Sequence, residues 1–154
     1  MRQRRFPDGT RVSATGRKGR ILTLKYMLDT NIAIYVIKRR PDYVRETFNR
    51  HAERLCISSI TLAELMHGVE KSAYPDRNAR NVNDFVSRLT VLEYGQRAAA
   101  HYGEIRAELE RNGQTLGVND LHIAGHARSE GLTLVSNNLK EFDRVAGLRL
   151  ENWV

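Results

Sequence analysis

The chain has 154 residues, of which 41% are hydrophobic, so it is long and apolar enough for one domain with a core of its own. No apolar run approaches the roughly 20 residues that a membrane-spanning helix needs, and the arginine-rich start lacks the apolar stretch of a secretory signal. We therefore expect a cytoplasmic protein without a membrane contact. The single cysteine, Cys56, excludes an internal disulfide and a cysteine-based zinc site.

The net charge of +7 is concentrated near the N-terminus. Residues 1–25 carry eight Lys or Arg side chains and one acidic side chain, whereas the rest of the chain carries seventeen of each. Residues 1–24 are also polar, and such a segment buries too little apolar surface to offset the entropy of ordering it. We predict a mobile basic extension over residues 1–24 and one folded domain over residues 25–154. Three interpretations of the extension are open: a basic arm that touches RNA, a remnant of vector-derived sequence, or an upstream reading of the start codon.

From Lys25 onward, short apolar runs alternate with stretches of helical periodicity. The first run, Tyr26-Met27-Leu28, ends in the polar turn Asp29-Thr30-Asn31, after which a helix begins. Pro41 ends that helix. The predicted strands cover residues 26–28, 55–57, 91–92, 132–135 and 148–150, and the predicted helices cover residues 32–37, 42–54, 60–71, 75–89, 97–111, 119–130 and 136–142.

Short, nearly all-apolar strands separated by helices are typical of a parallel sheet that is covered on both faces. The predicted class is α/β, as a three-layer α/β/α sandwich with a short-stranded parallel sheet. In such sheets, ligands bind beyond the carboxyl ends of the strands. Oxygen-bearing side chains follow three of the predicted strands at that edge: Asp29-Thr30-Asn31, Ser58-Ser59 and Ser136-Asn137-Asn138.

Asp120 joins this group on separate grounds. At about 100° per residue it falls in the middle of the apolar stripe of its helix, which contains Ile123 and Ala127. A carboxylate on the core side is costly unless it is paired or bound to a metal ion. Carboxylates, amides and hydroxyls without clustered sulfur suit Mg²⁺ or Mn²⁺, and such a cation suits hydrolysis of a phosphodiester.

Each carboxylate also has a purely structural explanation. Asp29 is a favoured helix N-cap residue, and Asp120 can stabilise the dipole of its helix. Glu64 lies outside the apolar stripe of its own helix, so the pattern alone predicts an exposed glutamate. That stripe consists of Leu62, Leu65, Met66 and Val69.

Other chemistries fit the sequence less well. His122 and His126 have the i, i+4 spacing of a zincin helix, but Ile123 stands where that motif needs its glutamate base. The sequence has no Gly-x-Ser-x-Gly elbow, and residues 113–117 lack the Gly-Lys-Ser/Thr ending of a phosphate loop. A receiver-like signalling domain needs a lysine at the end of a late strand, where this chain has Ser136-Asn137-Asn138.

Four motifs follow one another along the chain: MLDTN from Met27, ISSITLAEL from Ile57, GVNDLHIAGHA from Gly117 and LVSNNLKEF from Leu134. In this order they resemble the motifs of VapC-type toxins, which are PIN-domain ribonucleases of bacterial type II toxin–antitoxin systems. The resemblance covers nearly everything from Tyr26 to Val154. Four ordered motifs are specific, whereas Asp-Thr-Asn alone would be a weak signal.

Carried over position by position, the resemblance implies an acidic catalytic centre of three carboxylates that hold the metal ion: Asp29, Glu64 and Asp120. The fourth acidic position of the family falls on Asn138, whose amide can orient water but carries no charge. The resemblance further implies that Asn31 and Ser136 orient the carboxylates.

The resemblance also implies a homodimeric endoribonuclease that requires Mg²⁺, with Mn²⁺ as a substitute, and that cuts transfer RNA in the anticodon loop. A cognate antitoxin is expected to hold it inactive, because a basic side chain can satisfy the same carboxylates. Basic groups must position the RNA backbone, and Lys38, Arg39 and Arg40 beyond the first helix are candidates. The alternative is a catalytically silent PIN-like module that binds RNA or a protein, which the amide of Asn138 leaves open.

Overall fold

The structure, a computed structural model, describes residues 23–154. The strands are β1 (Tyr26–Leu28), β2 (Leu55–Ser58), β3 (Thr90–Leu92), β4 (Thr133–Val135) and β5 (Arg149–Glu151). The helices are α1 (Thr30–Lys38), α2 (Asp42–Arg50), α3 (Ser59–Glu70), α4 (Pro75–Val86), α5 (Gln96–Arg111), α6 (Val118–Ser129) and α7 (Leu139–Phe142). Residues 1–22, which make up most of the predicted basic extension, lie outside the described residues.

The five strands form one parallel sheet in the order β3-β2-β1-β4-β5. Tyr26 in the central strand lies opposite Leu55 on one side and Thr133 on the other. Because the chain runs outward from β1 first in one direction and then in the other, a topological switch point lies between β1 and β4. Ligands of open parallel sheets bind in the crevice beyond such a point.

The sheet separates two hydrophobic cores, although every residue of β1 is buried. Tyr26 and Leu28 point into the first core, and Met27 points into the second, together with Cys56. The first core includes Val36 of α1, Phe48 of α2, Leu65 of α3 and Phe85 of α4; the second includes Ile105 of α5, Ile123 of α6 and Phe142 of α7. A strand buried on both faces has no polar side to expose, which is why it is apolar throughout. The predicted three-layer sandwich is confirmed.

Two helix ends differ from the sequence prediction. The helix predicted to reach Arg54 ends at Arg50, and Ala52–Arg54 forms a separate 3₁₀ turn before β2. His51, at this break, packs its ring against Trp153, with centroids 5.4 Å apart. The helix predicted to reach residue 89 ends at Val86. Neither helix end is marked by a proline or a glycine, so the sequence pattern predicts both helices to be longer than they are.

None of the helices in residues 23–154 is long and apolar enough to span a membrane.

The first helix ends before Pro41, as the sequence predicted. Arg39 adopts the left-handed conformation at φ 60°, and the peptide bond between Arg40 and Pro41 is cis.

The second core requires α5 and α6 to approach closely at Gly125. A Cβ atom there would lie 2.9 Å from the backbone nitrogen of Tyr102 and 3.2 Å from the carbonyl oxygen of Ala98. Both neighbours are main-chain atoms, which cannot move without shifting α5. Glycine is therefore required by packing at this position, where its φ is not in the left-handed region.

Replacing Gly125 by Ala is expected to lower the free energy of unfolding by about 1–3 kcal/mol, because the added methyl group overpacks two backbones. Urea unfolding followed by circular dichroism measures the change. Gly103→Ala in α5 is the matched control, since a Cβ there meets no atom within 4 Å. It is expected to raise the same free energy by about 0.5–1 kcal/mol. Equal effects at the two positions would contradict the close approach.

Candidate active site

Asp29 stands at the carboxyl end of β1 and also caps α1. Its backbone N–H donates to the carbonyl oxygen of Val135 at 2.9 Å, which fixes it beside β4. Its Oδ1 accepts a hydrogen bond from the backbone N–H of Ile32 at 2.9 Å. The residue is only 3% exposed. The structural explanation of Asp29 as an N-cap is thus correct, but the cap bond uses only one of the two carboxylate oxygens.

The two residues predicted to orient the carboxylates both contact Asp29, in different ways. The Ser136 side chain is hydrogen-bonded to the Asp29 carboxylate, and its Oγ accepts the backbone N–H of Asn138 at 2.8 Å. Asn31 donates its backbone N–H to Asp29, while the residue itself is exposed. The contact expected of Ser136 is present, and that of Asn31 comes from the main chain instead of the amide.

Asp120 lies in the first turn of α6, where it is half-buried. The stripe that predicted its direction is real, since Ile123 and Ala127 are fully buried. Asp120 itself is at the end of that stripe, where α6 passes the edge of the sheet. Its carboxylate therefore faces the crevice and remains partly open to solvent.

Glu64 is half-buried, although its position on α3 predicted an exposed side chain. Its Oε1 accepts a hydrogen bond from Thr30 Oγ1 at 2.5 Å, and its Oε2 accepts one from Asn119 Nδ2 at 2.9 Å. Met66, which the sequence pattern places in the apolar stripe of α3, is 42% exposed and does not belong to the buried face. The buried face of α3 consists of Thr61, Leu65 and Val69. Glu64 meets polar partners from α1 and α6, which the phase of its own helix could not reveal.

The fourth acidic position holds Asn138, and a carboxylate from the next turn lies beside it. Asn138 Nδ2 donates to Glu141 Oε1 at 2.6 Å. The charge of Glu141 also acts on Asp120. Sequence reasoning missed Glu141, although its spacing of three residues from a helix-capping asparagine is the spacing of a capping box.

Like charges meet at this edge of the sheet. Burial raises the pKa of Asp29, and the charge of Glu64 adds to that effect, while hydrogen bonds from Ser136 and from the backbone oppose it. Burial, with the charges of Asp29, Glu64 and Glu141, raises the pKa of Asp120 to about 6. Among residues 23–154, no Lys or Arg forms an ion pair with any of these four carboxylates. Within the described part of the chain, the negative charge of the centre is therefore not balanced by a paired cation.

This donor set fits a divalent cation that keeps part of its hydration shell. The donors are carboxylate and hydroxyl oxygens, which suit hard cations. In the described part of the chain, no three His, Cys, Asp or Glu side chains form a ready-made ligand cage. A hydrated cation of the Mg²⁺ type needs only one or two carboxylates, and Asp29 and Asp120 are the two predicted to bind it. Direct ligation by Glu64 stays a prediction.

The two histidines of α6 have separate partners within the protein. His126 is buried, and its Nδ1 lies 2.8 Å from Ser58 Oγ. His122 Nδ1 lies 2.7 Å from the Tyr94 hydroxyl, and the His122 ring stacks on Tyr102 with centroids 4.1 Å apart. Burial lowers the pKa of His126 to about 4. These contacts give both rings packing roles within the protein.

Comparison with known protein families matches residues 26–148 to the family described as PIN domain. The chain therefore belongs to the PIN-domain family, and its sandwich is the PIN fold.

Curated relatives narrow this assignment. "Ribonuclease VapC2" of Haemophilus influenzae is 63% identical over 131 residues, which are 85% of this chain and 99% of the relative. "tRNA(fMet)-specific endonuclease VapC" of Salmonella typhimurium is 55% identical over 130 residues, which are 84% of this chain and 98% of the relative. Within its family the chain is thus a ribonuclease of the VapC type, as the motifs predicted.

Solved structures support the same assignment to the VapC type. One described as "Crystal structure of DNA bound VapBC from Salmonella typhimurium" has a TM-score of 0.83 and 55% identity, and the match covers 86% of this chain and 100% of that one. One of VapBC2 from Rickettsia felis, bound to a DNA fragment from their promoter, has a TM-score of 0.81 and 44% identity over 85% of this chain and 100% of that one. PIN-domain ribonucleases generally depend on a divalent metal ion, which agrees with the excess of negative charge at the centre in the described residues.

The raised pKa of Asp120 leads to a prediction about stability. The folded protein keeps the Asp120 carboxyl group protonated up to a pH of about 6, whereas the unfolded chain keeps it protonated only up to about 3.8. The stability that this carboxyl group contributes is therefore lost as the pH rises between those values. Asn cannot ionise. Asp120→Asn is therefore expected to be more stable than the wild type by about 1–2 kcal/mol at pH 7.5, allowing for partial exposure, and to lose most of that advantage by pH 4.

Urea unfolding of both proteins in EDTA at the two pH values measures this difference. Taking the difference between the two proteins removes the contribution of His126, which is the same in both. An advantage of the Asn variant that did not change with pH would show that the Asp120 carboxylate is not destabilised by its surroundings.

Proposed function

We propose that the chain is the toxin of a toxin–antitoxin pair and a Mg²⁺-dependent endoribonuclease that cuts transfer RNA in the anticodon loop. The observation that carries the proposal is the convergence of Asp29, Glu64 and Asp120, without a paired cation in residues 23–154, at the carboxyl edge of a PIN-domain sheet. Transfer RNA as the substrate is supported by the Salmonella relative, whose name specifies tRNA(fMet). The anticodon loop and a cytoplasmic location are supported by the motif resemblance.

Asp29 and Asp120 are the proposed metal ligands, and Glu64 acts through a water molecule. Support for this division comes from the hydrogen bonds, since both oxygens of Glu64 already accept donors from Thr30 and Asn119. Mg²⁺ is preferred because it needs few carboxylates and keeps its waters, and Mn²⁺ can substitute for it. When bound, such an ion lowers the pKa of a water and stabilises the charge on the phosphate.

The protein's own groups then have separate tasks. The Ile32 N–H and the Ser136 side chain hold Asp29 fixed, so the centre does not have to reorganise during the reaction. Glu64 orients the attacking water and accepts its proton. Attack in line on the phosphorus forms a new P–O bond and breaks the bond to the 3′ oxygen, which takes up a proton. The products are a 5′-phosphate and a 3′-hydroxyl.

The basic residues Lys38, Arg39 and Arg40 lie at the C-terminal end of α1, of which Lys38 is the last residue. A helix of nine residues rises about 13 Å, so these side chains are too distant to touch the scissile phosphate. Arg39 lines a cavity of about 190 Å³ together with Arg45 and Arg88. We propose that they bind phosphates of neighbouring nucleotides, which lie at this distance along a structured RNA.

A cognate antitoxin is the proposed protein partner. The solved VapBC structures, at 55% and 44% identity to this chain, support it. A guanidinium or ammonium group of the antitoxin can satisfy the unpaired carboxylates at the centre and so exclude a cation. A homodimer is expected from the same motif resemblance.

A catalytically silent PIN-like module that binds RNA or a protein is the alternative. The amide of Asn138 at the fourth acidic position is the observation that favours it. The Glu141 carboxylate, held 2.6 Å from that amide, weakens it, because a fourth negative charge is present after all.

Asp29→Asn and Asp120→Asn are each expected to lower the rate of transfer-RNA cleavage by about 100-fold or more, since each removes a charge needed to bind the cation. Gel analysis of total transfer RNA incubated with protein, in Mg²⁺ or in EDTA, measures the cleavage. Circular dichroism checks that the fold is kept. Asp42→Asn, an exposed carboxylate at the start of α2, is the control and is expected to cut as the wild type does.

Undiminished cleavage by either aspartate variant, or by the wild type in EDTA, would sink the proposed centre. Intact RNA in the wild-type lanes, from folded protein free of antitoxin, would favour another RNA substrate or the silent module.

The double variant Lys38→Ala/Arg40→Ala is expected to raise the KM for transfer RNA by about five- to tenfold and to leave kcat unchanged. It should also reduce the dependence of log KM on log salt concentration by about 1–2, because each phosphate contact releases a counterion. Steady-state cleavage between low and physiological salt measures both. Lys71→Ala/Arg111→Ala, which also removes two exposed positive charges, is the control. A lower kcat with an unchanged salt dependence would contradict the assignment.

A further inference from the structure

Asn119 joins α6 to the carboxylate of Glu64 on α3. It is an exposed residue in the first turn of α6, directly before Asp120. Successive residues of a helix point about 100° apart, so the two neighbours face different parts of the site. Asp120 interacts electrostatically with Asp29, and Asn119 Nδ2 donates a hydrogen bond to Glu64 Oε2 at 2.9 Å.

The other oxygen of Glu64 is held from the opposite side. Thr30 Oγ1 donates to Oε1 at 2.5 Å, and Thr30 directly follows Asp29 in the chain. The two donors are thus the immediate sequence neighbours of the two aspartates. The two hydrogen bonds therefore tie the Glu64 carboxylate to the segments that carry Asp29 and Asp120.

A glutamate needs such restraint at this position. Its side chain has three rotatable bonds, and Glu64 is only half-buried, so packing alone does not select one rotamer. The Thr30 bond by itself leaves the carboxylate free to turn about the bonded oxygen. A second donor on the other oxygen fixes the plane of the group.

The chemical type of the donor also fits. A Lys or Arg at position 119 would form an ion pair with Glu64 and would reduce the negative charge that attracts a cation. An amide donates a hydrogen bond without adding charge. Among residues 23–154, no Lys or Arg forms an ion pair with Asp29, Glu64 or Asp120, so the donor leaves their negative charge available to a cation.

We propose that Asn119 is a positioning residue for Glu64, whose carboxylate it fixes relative to Asp29 and Asp120 so that a hydrated divalent cation meets a preformed acceptor for its water. The inference rests on the proposed function, since it gives Glu64 a water as its partner. It adds a residue outside the acidic set, and one that acts without touching RNA.

The first readout is the binding of Mn²⁺ to the intact protein, without RNA, by titration calorimetry. Asn119→Ala is expected to weaken Mn²⁺ binding by about three- to tenfold. This is less than the roughly 10–100-fold typical of partners of direct metal ligands, because Glu64 acts through a water molecule and this hydrogen bond is exposed to solvent. In the background of Glu64→Ala, adding Asn119→Ala is expected to change nothing further, because its effect passes through Glu64. Asn83→Ala, an exposed asparagine of α4, is the matched control.

The second readout is steady-state cleavage of transfer RNA at saturating Mg²⁺. Asn119→Ala is expected to lower kcat by about tenfold and to leave KM for the RNA within about twofold of the wild type. An unchanged kcat with a raised KM would show that Asn119 contacts the RNA, and it would overturn the positioning role. Equal weakening of Mn²⁺ binding in the wild-type and Glu64→Ala backgrounds would overturn it as well.

The two readouts separate this inference from the proposed function. If the wild type binds Mn²⁺ with the expected dependence on Asn119 and Glu64 but cuts no RNA, the proposed function fails and the positioning role stands. If the wild type cuts RNA and Asn119→Ala matches it in both readouts, the positioning role fails alone.

Discussion

The parallel pairing of β1 with β2 on one side and β4 on the other is the constraint on which the rest of the molecule depends. It buries the central strand on both faces and brings the carboxyl ends of three strands to one edge. Asp29 directly follows β1 at that edge, and its N–H donates to the carbonyl oxygen of Val135 in β4. Ser136 directly follows β4 and lies beside Asp29. The helices that carry Glu64 and Asp120 reach the same crevice because α3 and α6 pack against opposite faces of this sheet.

Stability and activity make opposite demands at that edge. Burial, together with the charges of Asp29, Glu64 and Glu141, raises the pKa of Asp120 to about 6. Among the described residues, no Lys or Arg forms an ion pair with these four carboxylates. The two cores must therefore stabilise a fold that carries an unfavourable electrostatic site. The close contact at Gly125 packs α6 against α5, and the buried hydrogen bond between His126 and Ser58 joins α6, which carries Asp120, to β2.

Much of this was predictable from the sequence, for identifiable reasons. Strands buried on both faces are apolar throughout, so the sheet and its layers were evident, and the rule for carboxyl ends selected Asp29 and Ser136. The helical pattern alone did not select Glu64, because its partners come from α1 and α6 while the pattern of a helix reports only its own core face. The motif resemblance did select it. Glu141 was hidden by a shift of one helical turn from the expected position. The contact from Asn31 uses its backbone N–H, which no side-chain pattern encodes.

The acidic centre draws Asp29, Glu64 and Asp120 from segments that are 35 and 56 residues apart, so it exists only in the folded chain. A cation or an antitoxin side chain that binds there binds the native state alone, and mass action then shifts the folding equilibrium by about 1.4 kcal/mol for every tenfold excess of ligand over its Kd. The same ligand that switches the enzyme on or off also sets how much of it stays folded. A toxin stripped of both ligands is the least stable form of the protein, and the first that a cellular protease would remove.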